Sequence, residues 1–169
     1  MPERSLTELK SMVGTSKRIV EGMQIEAGKV AEFARAIGCE SPEYYDEEAA
    51  TSAGLEGIPA PVTFLRTSVF PRYRPDGMGR DPVFDLGFEK RREVHGEHAI
   101  EFERPIYVGD TLSATATLAD VYQRESDDGG AMTFAVQEID YADETNEPVA
   151  TERMTVIELP GDGRTEDTS

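Results

Sequence analysis

The feature that most limits what this chain can fold into is an alternating run of side chains over residues 94–118, interrupted once near its middle. Val94, His98, Ile100 and Phe102 share one parity and Glu97, Glu101 and Glu103 the other, the period of a strand with one buried face. Pro105 has no ladder donor and ends this run, and Gly109-Asp110 supplies a tight corner for the next. There Leu112, Ala114, Ala116 and Leu118 alternate with Thr111, Ser113, Thr115 and Thr117. A chain with two such runs at its centre must build a sheet. Both of its histidines, His95 and His98, fall in the first run.

More strands follow. Residues 124–130 form a hairpin connection, after which Met132, Phe134 and Val136 alternate. Ile139 and Tyr141 then take the opposite parity, which predicts a β-bulge near Gln137-Glu138. A turn over 143–147 precedes a last strand over 149–159. The N-terminal part reads differently. Residues 6–13 suit a short helix stopped near Gly14, and 23–25 a short extended piece. Val30, Phe33, Ala34 and Ile37 fall at helical spacing, with Gly38 as the stop. Residues 47–50 suit one helical turn. The apolar stretch 62–70 predicts a buried helix entered at Pro61 and ended by Pro71, with Val62, Leu65 and Val69 on one side. Helices first and an antiparallel meander after them make an α+β chain with one apolar helix for the sheet to wrap. One domain over 1–160 and a mobile acidic tail over 161–169 are expected.

Charge narrows the partners. Against 34 acidic residues stand 17 basic ones, giving a net charge of −17 that repels nucleic acid and anionic membranes. Cys39 is the single cysteine, so the chain forms no internal disulfide and no cysteine zinc cluster. Two histidines three apart on a regular strand point to opposite faces, and no metal site or cofactor is expected. There is no apolar run of about 18 residues and no charged-then-apolar leader, so a cytoplasmic location is expected. Within this acidic chain Arg66, Arg72, Arg74, Arg80, Lys90, Arg91 and Arg92 reverse the sign locally. They suit either the phosphates of coenzyme A or a carrier's prosthetic group, or pairing with acids of this chain or of a partner.

The segment Phe33-Ala34-Arg35-Ala36-Ile37-Gly38-Cys39-Glu40-Ser41-Pro42-Glu43-Tyr44-Tyr45-Asp46, continuing through Gly57-Ile58-Pro59-Ala60-Pro61-Val62-Thr63-Phe64, resembles the N-terminal half-domain of MaoC-like dehydratases. His95-Gly96-Glu97-His98, with Pro105 and Gly109-Asp110, is similar to a second motif of the same family. The resemblance covers roughly residues 20–158. It implies a hotdog fold, an antiparallel sheet wrapped around a central helix, here from Pro61 onward. It also implies reversible hydration of a 2-enoyl thioester, carried on coenzyme A or a carrier protein. Catalytic members of the family have Gly-Asp-x-Asn-Pro-x-His in the loop, where aspartate and histidine activate a water. On this chain the aspartate position is Cys39, the asparagine position Ser41 and the histidine position Tyr44; Pro42 is kept.

A tyrosine phenol titrates near about 10 and is a poor substitute for an imidazole. No histidine lies near Cys39 in sequence to activate a thiol, so Cys39 reads as a small packed residue. Asp46, Glu40 and His95 are the remaining candidates for acid–base work, each weighed against a solvated surface role. His98 shares the apolar parity and reads as a hydrogen-bonded core residue. Tyr44, Tyr45, Pro61, Thr63, Phe64, Arg72 and Arg74 are the candidate substrate contacts.

The first functional expectation is a hydratase-dehydratase subunit without its own dyad, completed by a second hotdog in a homo- or hetero-oligomer. A stand-alone acyl-thioester-binding module and a homodimeric thioesterase or hydratase using other residues are the alternatives. The charge also suggests a cell of high internal salt, where screening relieves self-repulsion. The melting temperature is then expected to rise from low salt to molar potassium chloride, and greater stability in low salt would end that idea.

Overall fold

The computed structural model describes residues 3–69, 73, 83–126 and 129–161. Five strands form one antiparallel sheet: β1 (Ser16–Gln24), β2 (Glu93–Phe102), β3 (Thr111–Glu125), β4 (Ala131–Ala142) and β5 (Pro148–Glu158), in the order β1-β3-β4-β5-β2. The meander is therefore β3-β4-β5. The two alternating runs that dominate the sequence are not neighbours, because the corner after Phe102 crosses the end of the sheet and leaves β2 on the far edge. Arg104 pins that corner: its guanidinium donates to both Asp110 carboxylate oxygens, at 2.8 and 3.2 Å, and reaches Asp143 at 3.5 Å. Asp110 also accepts from the Tyr107 N–H at 2.9 Å.

Helix α1 (Leu6–Ser11) starts with a capping box between Ser5 and Glu8 and buries Leu9 completely. Helix α2 (Ala27–Ala36) buries Val30 and Ala34 and ends at Gly38, whose φ of 73° suits a residue without Cβ. Ile37 falls outside the helix and is exposed. Helix α3 (Glu47–Ser52) is capped by Asp46, which accepts from the Ala49 N–H at 2.8 Å. The inner face of the sheet packs Val20, Met23, Leu112, Ala114, Ala116, Leu118, Ile139 and Tyr141 against a cluster that includes Val30, Phe64 and Leu65.

Three expectations need correction. The stretch expected to be a helix from Pro61 is a 3₁₀ segment, Phe64–Val69, with Val62 and Val69 exposed rather than enclosed. Thr67, Ser68 and Val69 are weak helix formers, and the observed bonds are i→i+3, such as Phe64 N–H to Pro61 at 2.8 Å. Phe70 and Pro71, where this stretch was expected to end, lie outside the described residues, as does the tail from 162.

The second correction is the site of a bulge. β4 pairs with β5 without a break from Thr133 to Tyr141, and the slip lies in β3, between Leu118 and Asp120. Phe134 consequently faces outward, stacked on Tyr122 with ring centroids 4.8 Å apart.

The third concerns the histidines. The register of β2 on β5 shifts at Gly96, so that His95 faces Val156 while His98 faces Met154. Both rings then lie on the inner side of the sheet, 5.6 Å apart. A Cβ at Gly96 would lie 2.6 Å from Ile157 Cδ1 and 3.2 Å from the Thr155 carbonyl oxygen. Gly96→Ala is expected to lower unfolding stability by about 1–2 kcal/mol through this crowding, read from the denaturant midpoint.

Candidate functional site

The loop and the corner meet at one end of the sheet. Ala60 N–H donates to the Ile106 carbonyl at 2.7 Å and Val108 N–H to Ile58 at 2.8 Å, a short ladder that ties the 57–61 loop to the corner. Beside this ladder lies an open recess of about 500 Å³, walled by Tyr44, Leu55, Pro59, Val62, Phe102 and Ile106 among others. Its walls are mainly apolar, and Val62, 66% exposed, and Phe102, 38% exposed, leave it open to solvent. A recess of this size suits an acyl group or the apolar side chain of a partner.

Of the two positions matched to the family's dyad, Tyr44 lines the recess and Cys39 lines a separate depression. The 3₁₀ turn Pro42–Tyr44 carries Tyr44 to the recess wall. Burial, reinforced by Cys39 and Glu43 nearby, pushes the Tyr44 phenol above its ordinary value, so it stays protonated at neutral pH. Cys39 is half-buried, and its N–H closes the end of α2 onto Ala34 at 2.9 Å. Ser41 donates to Glu43 at 2.5 Å, which holds the Glu43 carboxyl below the usual range. Tyr45 donates to the Cys39 carbonyl oxygen beneath the Arg35 guanidinium, in a separate shallow depression with Glu40. Asp46 serves as the cap of α3. Tyr44 thus lines the recess, Tyr45 supports the loop behind it, and Cys39 and Asp46 hold local backbone.

The other expected contacts divide. Thr63 is exposed, while Pro61 is buried beside the recess residues Ala60 and Val62. Phe64 is fully buried and packs edge-on against Phe33 at 5.4 Å, a core role. Arg72, Arg74 and Arg80 lie outside the described residues. Of the remaining basic residues, Arg66 reaches Glu152 at 3.4 Å and Arg92 bridges Glu89 and Glu158 at 2.7 and 3.1 Å. Lys90 lines a different cavity, beside Gln137.

The structure also assembles a polar group that the sequence reading did not single out. Glu152 of β5 has no exposed surface; its Oε2 lies 3.4 Å from Arg66 and 3.5 Å from His98 Nε2. Next to it Tyr141 and Ser68 share a hydrogen bond at 3.0 Å, and burial, with the Glu152 charge, drives the Tyr141 phenol far up. His98 therefore faces inward as its parity predicts, but its Nε2 makes no hydrogen bond. The available signal was the parity of Glu152, which matches the inward Ala150 and places a carboxylate on the buried face of the last strand. His95 remains exposed. Among the described residues no cluster of three or more His, Cys, Asp or Glu is arranged for a metal, and no helix is long and apolar enough to cross a membrane.

Comparison with known proteins agrees with this fold. A family model for the FAS1-like, dehydratase domain region matches residues 11–152. A UPF0336 protein of Streptomyces griseus is 36% identical over 110 residues, spanning 64% of this chain and 70% of the relative. One from Saccharopolyspora erythraea is 30% identical over 148 residues, spanning 88% and 89%. Among solved structures, the ChsH1–ChsH2 complex of Mycobacterium tuberculosis superposes with a TM-score of 0.73 at 22% identity, over 94% of this chain and 96% of that one. The C-terminally truncated HadBC 3R-hydroxyacyl-ACP dehydratase complex of the same organism gives 0.66 at 22%, over 86% and 96%. A MaoC-like dehydratase gives 0.70 at 25%, over 91% of this chain and 44% of that one. With most of its length matched and its five-stranded sheet shared with these structures, the chain belongs to the FAS1-like dehydratase region family, in the hotdog fold of the MaoC-like dehydratases.

Proposed function

We propose that this chain is the non-catalytic half of an acyl-thioester hydratase-dehydratase, holding a 2-enoyl or 3-hydroxyacyl thioester while a second hotdog supplies the aspartate and histidine. The observation that carries the reading is the chemistry of the loop. Where water activation needs an acid and an imidazole, Tyr44 presents a phenol that burial keeps protonated, and Cys39 caps a helix end. The nearby Asp46 carboxylate is engaged as a helix cap. The recess beside the loop keeps the shape of an acyl site without the groups that would do the chemistry.

Two further observations support a partner. Among the described residues β2 is an edge strand with little burial on either face, so a second subunit has a ladder to pair with there. Two of the similar structures, HadBC and ChsH1–ChsH2, are complexes of two different chains.

Purified alone, the chain is expected to leave crotonyl-CoA unhydrated above the buffer rate, while still binding it. Hydration is expected to appear when a hotdog chain carrying Gly-Asp-x-Asn-Pro-x-His is co-expressed and co-purified with it. Val62→Asp, which puts a charge on the recess wall, is expected to weaken crotonyl-CoA binding by about tenfold or more. Brisk hydration by the isolated chain would overturn the reading. If that activity were lost in His98→Gln, the chemistry would move to the His98–Glu152 pair.

A further inference from the structure

We infer that the open edge of β2 takes the edge strand of a different chain, with Lys or Arg along its outer face and apolar residues along its inner face, and rejects a second copy of this chain. The inference rests on the reading that a second hotdog completes this chain, and adds what kind of chain it is. The two edges of the sheet are not equivalent. β1 slips twice against β3 within nine residues, between Arg18 and Val20 and between Val20 and Met23, with Gly22 at φ 61°. Such bulges bend an edge away from pairing. β2 slips once, at Gly96, and from Glu97 to Phe102 it pairs with β5 residue by residue. Its other side has no neighbouring strand among the described residues.

The register gives the two faces of this edge different chemistry. Glu97, Ala99 and Glu101 lie beside Thr155, Arg153 and Thr151 on the outer face, and all three are exposed. Glu103, just past the end of the strand, is exposed too, with its N–H bonded to the Val149 carbonyl at 3.0 Å. His98, Ile100 and Phe102 take the inner face, where Phe102 is 38% exposed. The cations closest in the fold are engaged elsewhere. Arg153 holds Glu138 at 2.9 Å, and Arg104 holds Asp110 and Asp143 at 2.8 and 3.5 Å. The carboxylates along this edge therefore face solvent, at the alternate positions a pairing strand would meet.

A second copy, paired antiparallel about a two-fold axis normal to the sheet, sets side chains of the same face opposite each other. With the axis at Ala99, Glu97 meets Glu101 of the copy. With the axis at Ile100 it meets Glu103, and with the axis at Glu101 that residue meets itself. An axis nearer Glu97 runs into the bulge at Gly96. Like charges directly across a strand pair are destabilising, and a net charge of −17 on each copy adds to the repulsion. Lys or Arg at the facing positions turns each repulsion into a cross-strand ion pair, while apolar residues on the inner face cover Ile100 and Phe102. Phe102 also walls the apolar recess together with Val62, so a chain docked here is continuous with the proposed acyl site.

The test uses the full-length chain, with its own double variant Glu97→Lys, Glu101→Lys as the basic-edged partner. Sedimentation velocity at low ionic strength is expected to show wild type and variant associating at least about tenfold more tightly than wild type with itself. Hydrogen exchange is expected to show new protection over residues 97–103 in the mixture and none in wild type alone. Molar potassium chloride is expected to erase the preference. Glu32→Lys with Asp120→Lys makes the same charge change at exposed residues away from β2, and is expected to give no gain. Glu97→Gln with Glu101→Gln, which only removes charge, is expected to self-associate more than wild type, and carries the test where the lysine variant fails to fold. Wild type that dimerises at low salt with 97–103 protected would overturn the inference, as would a mixture or glutamine variant no tighter than wild type alone. Neither result touches the reading of a non-catalytic half, which is decided by crotonyl-CoA hydration.

Discussion

A sheet of this kind is stable only when one face is kept from water, and the described residues cover that face more completely over β1, β3 and β4 than over β2. Over β1, β3 and β4 the inner side chains have almost no exposed surface: Met23, Leu112, Ala114, Ala116, Leu118 and Ile139 lie under α2 or the 3₁₀ segment in one apolar cluster. At about 25 cal/mol per Å² of apolar surface removed from water, this part of the molecule supplies the main drive to fold. Over β2 the described residues give less cover. His95 is exposed and Phe102 is 38% exposed, although both are on the side that is buried elsewhere.

The 3₁₀ segment that covers part of the sheet has its origin in a short piece of sequence. The apolar run after Pro61 has the length for a helix, but Thr67, Ser68 and Val69 are poor helix formers, and the segment tightens into 3₁₀. A 3₁₀ segment spends its six residues quickly and presents a narrower face than an α-helix. Phe64 and Leu65 still reach the core, while Arg66 is turned toward Glu152 and Val69 outward.

The strands were legible because β-structure writes its period into the sequence. Leu112, Ala114, Ala116 and Leu118 are all inward, as their parity says, and Gly38 ends α2 where it was expected. Parity fails where an extra residue enters a strand, and the sequence does not mark the entry point uniquely. The change of phase read in β4 was one of composition and not of register, and nothing in β4 revealed that its partner β3 carried the bulge. At Gly96 the bulge reverses one histidine relative to the other, and a glycine within a strand was the available hint. Pairing order was illegible for a different reason. Adjacent runs in sequence suggest a hairpin, while the Arg104–Asp110 clamp shapes a corner that carries the chain across the sheet instead. At the site, the replacement of the dyad at Cys39 and Tyr44 is an expectation carried by the resemblance, whereas the polar group around Glu152 depends on strand register.

The two polar regions of this molecule have opposite physical characters. The polar groups of the loop bearing Cys39 and Tyr44 serve as caps and short local hydrogen bonds. The inner face of the sheet holds a carboxylate, Glu152, with no exposed surface. Among the described residues its polar neighbours include the partly exposed Arg66 guanidinium at 3.4 Å and His98 Nε2 at 3.5 Å. Taking a carboxylate out of water costs several kcal/mol, and a long, incomplete ion pair returns only part of it. Methionine or leucine in place of Glu152 would fill the space without that cost, so packing alone does not account for the residue. A carboxylate held half-satisfied in this way gains most when something else donates to it.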